Sequence, residues 1–330
     1  MKTGKRKLEH LEICLKKNVQ FRRKTTGLEW VDLNYECLPE ISLKEVNLST
    51  DFLGKKFSAP LMVSALTGGT ARAKKINRDI ARACQSLGIG MGLGSQRAML
   101  ENPKLAETYC VRDIAPGILL AGNIGVAQLK EYSAKQIAKA MMEVEADALC
   151  VHVNAAQEAM QFEGDTDFRG GIAAINKMSG LLKKPVIVKE TGHGISGSIA
   201  EKLAKTGVAA IDVQGAGGTS WIGIDSLRGK SELGEVFWDF GIPTAVSIVE
   251  CRNAFKGKII GSGGIRTGID VAKALLLGAD LCAIGLPVLR AQQNGGSRGV
   301  EKYLRRIIEE TRTAFYLAGA KSIKDLKKKA

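Results

Sequence analysis

Gly261-Ser262-Gly263-Gly264-Ile265-Arg266 decides the fold, because of where it stands in the chain. Successive glycines let backbone N–H groups converge on a phosphate, and a helix expected from about Thr267 adds its N-terminal dipole. In a doubly wound open sheet such a loop belongs after an early strand, ahead of the first helix. Here it follows the seventh of eight predicted strands, and barrels place their phosphate site after strands seven and eight. The eight runs are 60–66 (PLMVSAL), 88–94 (GIGMGLG), 117–122 (GILLAG), 147–154 (DALCVHVN), 185–190 (PVIVKE), 209–214 (AAIDVQ), 257–262 (GKIIGS) and 280–285 (DLCAIG). Each is nearly continuous in apolar residues, as parallel strands buried on both faces are, and amphipathic segments such as 72–87, 133–144, 196–206 and 267–278 separate them. The fold class is therefore α/β, a (β/α)8 TIM barrel. Residues 1–59 read as an N-terminal extension with a helix near 5–17 and loops, 297–318 as a closing helix, and 1–330 as a single domain.

Composition agrees with a compact α/β protein: 330 residues, 45% hydrophobic, 38 glycines and only 5% aromatic. No run approaches the roughly 20 apolar residues that span a bilayer, and no apolar stretch follows the basic N-terminus as in a secretory leader. A cytoplasmic protein is expected, with no membrane partner. The cysteines, Cys14, Cys37, Cys84, Cys110, Cys150, Cys251 and Cys282, are odd in number and contain no CxxC pair, which argues against a disulfide framework or zinc knuckle. Cys150 and Cys282 fall inside apolar strands and read as small core hydrophobes. The net charge of +14 is concentrated at the ends: residues 1–24 carry nine cations against Glu9 and Glu12, and 321–330 carry five against Asp325. The body is close to balanced, so a nucleic-acid partner is not expected, while a basic N-terminal arm can close over an anion.

In such a barrel, function collects just after the C-terminal ends of the strands. Those places hold Ser64-Ala65-Leu66-Thr67-Gly68-Gly69, Gly94-Ser95-Gln96-Arg97, Asn123, His152-Val153-Asn154-Ala155-Ala156-Gln157-Glu158, Lys189-Glu190-Thr191, Gly217-Gly218-Thr219-Ser220-Trp221, Gly263-Gly264-Ile265-Arg266 and Gly285-Leu286. Polar residues and glycines at so many strand ends outweigh any single motif. Gly263, Gly264 and Arg266, with a second turn at Gly285-Leu286, are expected to form a phosphate cradle, the alternative being a turn that merely needs positive φ. Ala65, Thr67, Ser95, Asn123 and Thr219 suit the edge of an isoalloxazine, and Lys189 suits its N1/O2 edge, where a cation stabilises an anionic reduced flavin. The cofactor expected is FMN. A Schiff-base lysine is the alternative for Lys189, with no obvious activating partner. His152 alternates with Cys150 and Asn154 along one strand, so the three share a face at its end. Glu158 is a single carboxylate suited to Mg²⁺, which takes one or two carboxylates plus phosphate oxygens, and no second carboxylate or cysteine accompanies it as an acid/base dyad.

Arg6-Lys7-x-x-His10, Leu66-Thr67-Gly68-Gly69, Gly94-Ser95-Gln96-Arg97, His152-x-Asn154-x-x-Gln157-Glu158 followed by Gln161-x-Glu163-Gly164-Asp165, and Gly263-Gly264-Ile265-Arg266-Thr267-Gly268 together resemble the type 2 isopentenyl-diphosphate isomerases. The resemblance runs in order from about residue 6 to 290. One departure is Leu66, where members of that family often carry methionine. The resemblance implies reversible conversion of isopentenyl diphosphate to dimethylallyl diphosphate in isoprenoid biosynthesis, with reduced FMN, Mg²⁺ and NAD(P)H as reductant. It implies a homo-oligomer, a tetramer or larger. It carries diphosphate binding to Arg6, Lys7, Arg97, His152 and Asn154, Mg²⁺ to Glu158, and places Gln157 near the isoprenoid carbons, with Gln157 and His152 as catalytic candidates. The rival enzyme class is an FMN oxidoreductase such as a 2-hydroxyacid oxidase or dihydroorotate dehydrogenase, which needs a poised histidine, cysteine or serine base.

Overall fold

In the computed structural model, which describes residues 2–329, eight parallel strands close into a barrel. They are β1 (Leu61–Val63), β2 (Gly90–Gly92), β3 (Leu120–Gly125), β4 (Ala148–His152), β5 (Val186–Lys189), β6 (Ala210–Asp212), β7 (Lys258–Ser262) and β8 (Leu281–Ile284). Each pairs with the next, and β8 returns to β1 in the register Cys282↔Leu61 and Ile284↔Val63. Every residue of β1, β2, β3, β5, β6 and β8 is buried, which is why these runs are almost uniformly apolar.

All eight predicted runs overlap a strand, with differences at the ends. The third lies later than its apolar centre suggests, because Asn123, Ile124 and Gly125 continue the ladder against Cys150, Val151 and His152. The fourth stops at His152. Asn154 has already turned, at φ −147 and ψ 42, into the short helix Ala155–Met160 that follows, so it does not share a strand face with Cys150 and His152.

The N-terminal extension covers both ends of the barrel. Helix α1 (Lys2–Lys16) lies at the C-terminal end, where its residues line the cavity described below. At the other end, where loops are expected from sequence, Thr50–Phe52 and Lys55–Phe57 form an antiparallel hairpin. Its turn residues Leu53 and Gly54 both have positive φ, 48 and 80, which matches the strand twist of a two-residue turn. Phe52 and Phe57 are buried edge to face, 6.2 Å between centroids, and Lys55 reaches Asp147 at the start of β4 at 3.3 Å.

Helix α2 (Ala71–Leu87) shows why the outer layer forms. Thr70 caps it by accepting from Ala73 N, Gly88 ends it in the left-handed region, and Ile76, Ile80, Ala83 and Leu87 bury one face. The closing helix, Leu286–Leu317, is broken at Gly295 and Gly296, so its second part matches the predicted 297–318. The first part starts directly after β8.

Candidate active site

The C-terminal ends of the strands surround a cavity of about 1740 Å³, counting its open mouth. Arg6 and Lys7 enter it from α1. Ala65 and Thr67 follow β1, Ser95 and Arg97 follow β2, and Asn123 stands in β3. His152 ends β4, and Asn154, Gln157 and Glu158 come from the next turn and helix. Lys189 ends β5, Thr219 comes from the loop after β6, Gly263, Gly264 and Arg266 follow β7, and Gly285 and Leu286 follow β8. Every one of these sequence-derived candidates lines the same cavity.

At one end the backbone is shaped for an anion. Gly263 and Gly264 have φ 93 and 74, and a Cβ on either would lie 2.1 Å from Gly215 O or 2.2 Å from Thr26 Cγ2. Only glycine fits there. Among the described residues no acceptor takes the N–H of Gly263 or Gly264. Among the described residues the Arg266 guanidinium donates only to neutral acceptors, the Ile265 carbonyl at 3.0 Å and Gln20 Oε1 at 3.1 Å. The helix Gly268–Leu276, however, does not contribute its terminus as expected from sequence. Asp270 takes the N–H groups of Arg266 and Thr267 at 3.0 and 2.9 Å, and Glu310 takes that of Gly268 at 2.8 Å. The helix starting at Leu286, by contrast, has Pro287 and no acidic residue in its first turn.

The floor is polar but closed. Lys189 is buried and donates to the Glu190 carbonyl at 2.5 Å, while Glu190 Oε2 accepts the backbone N–H of Thr191, Gly192 and His193. Thr191 Oγ1, in the cavity wall, is buried with no partner among the described residues. Beside Lys189 in the ladder is Asp212, wholly enclosed, accepting from Gln214 Nε2 at 3.1 Å and from Ser262 Oγ. Burial pushes its carboxyl up, against the opposing pull of Lys189. In sequence the signal for Asp212 is slight: one acid inside the apolar run AAIDVQ.

The other end faces α1. His152 Nδ1 lies 2.8 Å from Asn123 Oδ1, and burial, reinforced by Lys189, Lys7 and Arg6, pushes the imidazole down to about 3, so it is neutral at physiological pH. Burial, followed by repulsion from Arg6, lowers Lys7 to about 7. Asn154 donates to Glu158 Oε1 at 2.8 Å, and Glu158 Oε2 accepts from Asp165 N at 2.8 Å and Gln161 Nε2 at 3.3 Å. Gln157 Nε2 donates to Asp225 Oδ2 at 3.0 Å. Asp225, on the helix Trp221–Gly229, also holds His10 Nε2 at 2.9 Å and Arg228 Nε at 3.0 Å. The neighbourhood of Glu158, read from sequence as lacking a second carboxylate, thus contains one behind Gln157. Only the fold brings it there.

A barrel with open glycine N–H groups and an arginine after β7, a buried lysine ending β5 and a polar ring at its mouth has the features of a flavin-phosphate-binding (β/α)8 protein. The profile of the FMN-dependent dehydrogenase family matches residues 2–107 and 111–330. The chain is 44% identical to an isopentenyl-diphosphate delta-isomerase of Pyrococcus furiosus, over 99% of this chain and 86% of that protein. It is 47% identical to one of Methanothermobacter thermautotrophicus, over 98% and 91%. Among solved structures, a flavocytochrome b2 variant with sulfite bound superposes with a TM-score of 0.72 at 22% identity, covering 97% of this chain and 81% of that one, a likeness of fold. The chain belongs to the FMN-dependent dehydrogenase family, in its isopentenyl-diphosphate delta-isomerase branch.

Proposed function

We propose that the protein interconverts isopentenyl and dimethylallyl diphosphate in isoprenoid biosynthesis, using reduced FMN and Mg²⁺, with NAD(P)H as reductant of the flavin. The observation that supports this reading is one cavity lined both by Gly263, Gly264 and Arg266 and by the cationic pair Arg6 and Lys7 together with Glu158. A flavin phosphate and a substrate diphosphate need such groups. Gly263, Gly264, Arg266, Gly285 and Leu286 would hold the FMN phosphate, and Ala65, Thr67, Ser95, Asn123, Lys189 and Thr219 its ring. When bound and reduced, FMN supplies an electron-rich face for a developing tertiary cation and an N5 that exchanges a proton.

The chain's own residues bind, orient and exclude water. Arg6, Lys7, Arg97, His152 and Asn154 fix the diphosphate. Burial first, and then repulsion from Lys189, Lys7 and Arg6, hold His152 neutral; an anion beside it would offset the repulsion, so ligand binding would shift the ring toward proton uptake. Glu158 is a single hard anionic ligand. Among the described residues no group of three or more His, Cys, Asp or Glu is placed to hold a metal, so Mg²⁺ would complete its shell with phosphate oxygens and water. Gln157, held by Asp225, faces the isoprenoid chain with its amide oriented, and the burial of Thr67, Asn123, Gln157 and Lys189 keeps water from a cationic carbon. Net charge at the chain ends is assigned to the arm and to solvated surface. No helix among the described residues is long and apolar enough to cross a membrane; a cytoplasmic homo-oligomer of four or more chains is the working assembly.

One observation favours a second reading. His10 with Asp225 behind it is the kind of base pair an FMN oxidoreductase of hydroxy acids would use. The two readings separate on one preparation: purified protein with a flavin absorbance spectrum is divided, one portion reduced anaerobically and given isopentenyl diphosphate with Mg²⁺, the other kept oxidised and given a 2-hydroxy acid. Dimethylallyl diphosphate in the product supports the isomerase. Flavin reduction by a hydroxy acid, with no isomerisation, supports the oxidoreductase.

A further inference from the structure

Tyr109 stands behind the cavity wall, wholly buried, and Lys7 is aimed into its corner. Lys7 Nζ donates to the Ser95 carbonyl at 2.8 Å and to the Tyr109 hydroxyl at 3.0 Å, and that hydroxyl donates to the same carbonyl at 2.7 Å. The three polar atoms close a triangle, and Nζ lies 5.6 Å from the ring centroid. An ammonium has three donors. Among the described residues two are used, and the third remains for an acceptor in the cavity that Lys7 lines. Both partners are neutral, so they orient the ammonium without cancelling its charge, as a carboxylate would. Burial raises the phenol's pKa, which keeps its proton on and both of its roles intact.

The segment Thr67-Gly68-Gly69 is built around this ring. A Cβ on Gly68 would lie 1.9 Å from Tyr109 Cε1. Gly69 N donates to Thr108 Oγ1 at 2.8 Å, and Asn77 Nδ2 ties the Thr67 and Thr108 carbonyls together at 3.3 and 3.0 Å. The glycine after Thr67, which stands in sequence just past the first strand, is therefore what admits the tyrosine.

We propose that Tyr109 is a positioning residue for substrate capture: with the Ser95 carbonyl it forms a two-acceptor seat that docks Lys7 and aims its remaining N–H at the diphosphate. The proposal rests on the isomerase reading only in naming the anion. Loss of the seat leaves a four-carbon stem free to sample rotamers, and the same charge then meets the anion less often in the right geometry.

Tyr109→Phe in the full-length holoenzyme keeps the ring and removes the hydroxyl. Hydrogen bonds to charged groups are the stronger kind, so KM for isopentenyl diphosphate and Kd for inorganic pyrophosphate should each rise about tenfold, a change of roughly 1.4 kcal/mol. At saturating substrate kcat should move much less, and FMN affinity and melting temperature should stay close to wild type. In a Lys7→Ala background the tyrosine change should have no further effect on pyrophosphate binding. Unchanged KM and Kd in Tyr109→Phe, or a loss that persists without Lys7, overturns the seat. Failure of wild-type protein to bind pyrophosphate also overturns it. Wild-type protein that binds pyrophosphate but does not isomerise overturns the isomerase reading and leaves the seat standing if the cycle behaves as stated.

Discussion

Replacing Asp225 by Asn should loosen the joint between the N-terminal helix and the barrel. The carboxylate is fully enclosed and accepts from three elements at once: His10 on α1 at 2.9 Å, Gln157 at 3.0 Å and Arg228 at 3.0 Å. Burial alone would raise its pKa; the bond and charge of His10, the Gln157 amide and Arg228 outweigh that and hold it below the ordinary carboxylate value. Asparagine preserves size but lacks the charge, and it points N–H toward donors. Removing one partner of a buried ion pair costs about 3–5 kcal/mol. Arg228 keeps Glu163 at 2.6 Å and Glu9 at 3.7 Å and is 13% exposed, so the loss belongs below that range, about 2–3 kcal/mol. For a chain of this size that is a melting-point drop of roughly 3–4 °C at pH 7. The sign with pH follows. A carboxylate whose folded pKa lies below its unfolded value contributes fully above about pH 4 and loses that contribution as pH falls through the folded value. Calorimetric melts of both proteins from pH 7 downward should therefore converge in acid. Coincident melts at pH 7 would refute the view of Asp225 as the joint.

Glu158→Gln should raise the Mg²⁺ concentration needed for half-maximal turnover while FMN stays bound, because the amide loses the anionic ligand at constant size; an unchanged Mg²⁺ titration would assign the metal elsewhere. Lys189→Ala should weaken FMN retention or shift its reduction potential downward, since a buried cation no longer favours the reduced anionic flavin; spectroelectrochemistry and FMN titration showing no change in either would remove Lys189 from the ring's edge. Burial and Arg6 hold Lys7 at about 7 without ligand, and an anion favours its charged form. Pyrophosphate affinity should therefore fall as pH rises through 7 and above, with a flatter profile in Lys7→Ala; parallel profiles in calorimetric titrations would contradict this.

The barrel is legible in the sequence because each buried strand announces itself as an apolar run, and the glycine pair after the seventh run fixes their closure. Strand ends are less legible, since pairing partners rather than hydropathy decide them; Asn123 and Gly125 extend β3 only because Cys150 and His152 lie opposite. The hairpin at 50–57 escapes notice because a leucine, Leu53, occupies a positive-φ turn position where Asn or Asp is the usual sign. Site residues that follow strand ends can be read directly, and they do converge on one cavity. The supporting carboxylates cannot. Asp225 meets Gln157 across 68 positions of chain, and Asp212 sits in an apolar strand where nothing local distinguishes it from an isolated polar residue. The helix after Thr267 misleads for the opposite reason: Thr267 and Asp270 form a capping box, so the chain's own carboxylate occupies the terminus that the sequence pattern offers to a phosphate.

The central claim is a redox-neutral isomerisation that depends on reduced flavin, and isotope exchange tests it most directly. Photoreduced holoenzyme is incubated anaerobically in D₂O with isopentenyl diphosphate and Mg²⁺, and deuterium in substrate and product is counted by mass spectrometry alongside NAD(P)H consumption. Deuterium should enter both compounds with no stoichiometric consumption of reductant, and the oxidised enzyme should be silent. Equal turnover by oxidised enzyme, or one reductant consumed for each product formed, would contradict the account.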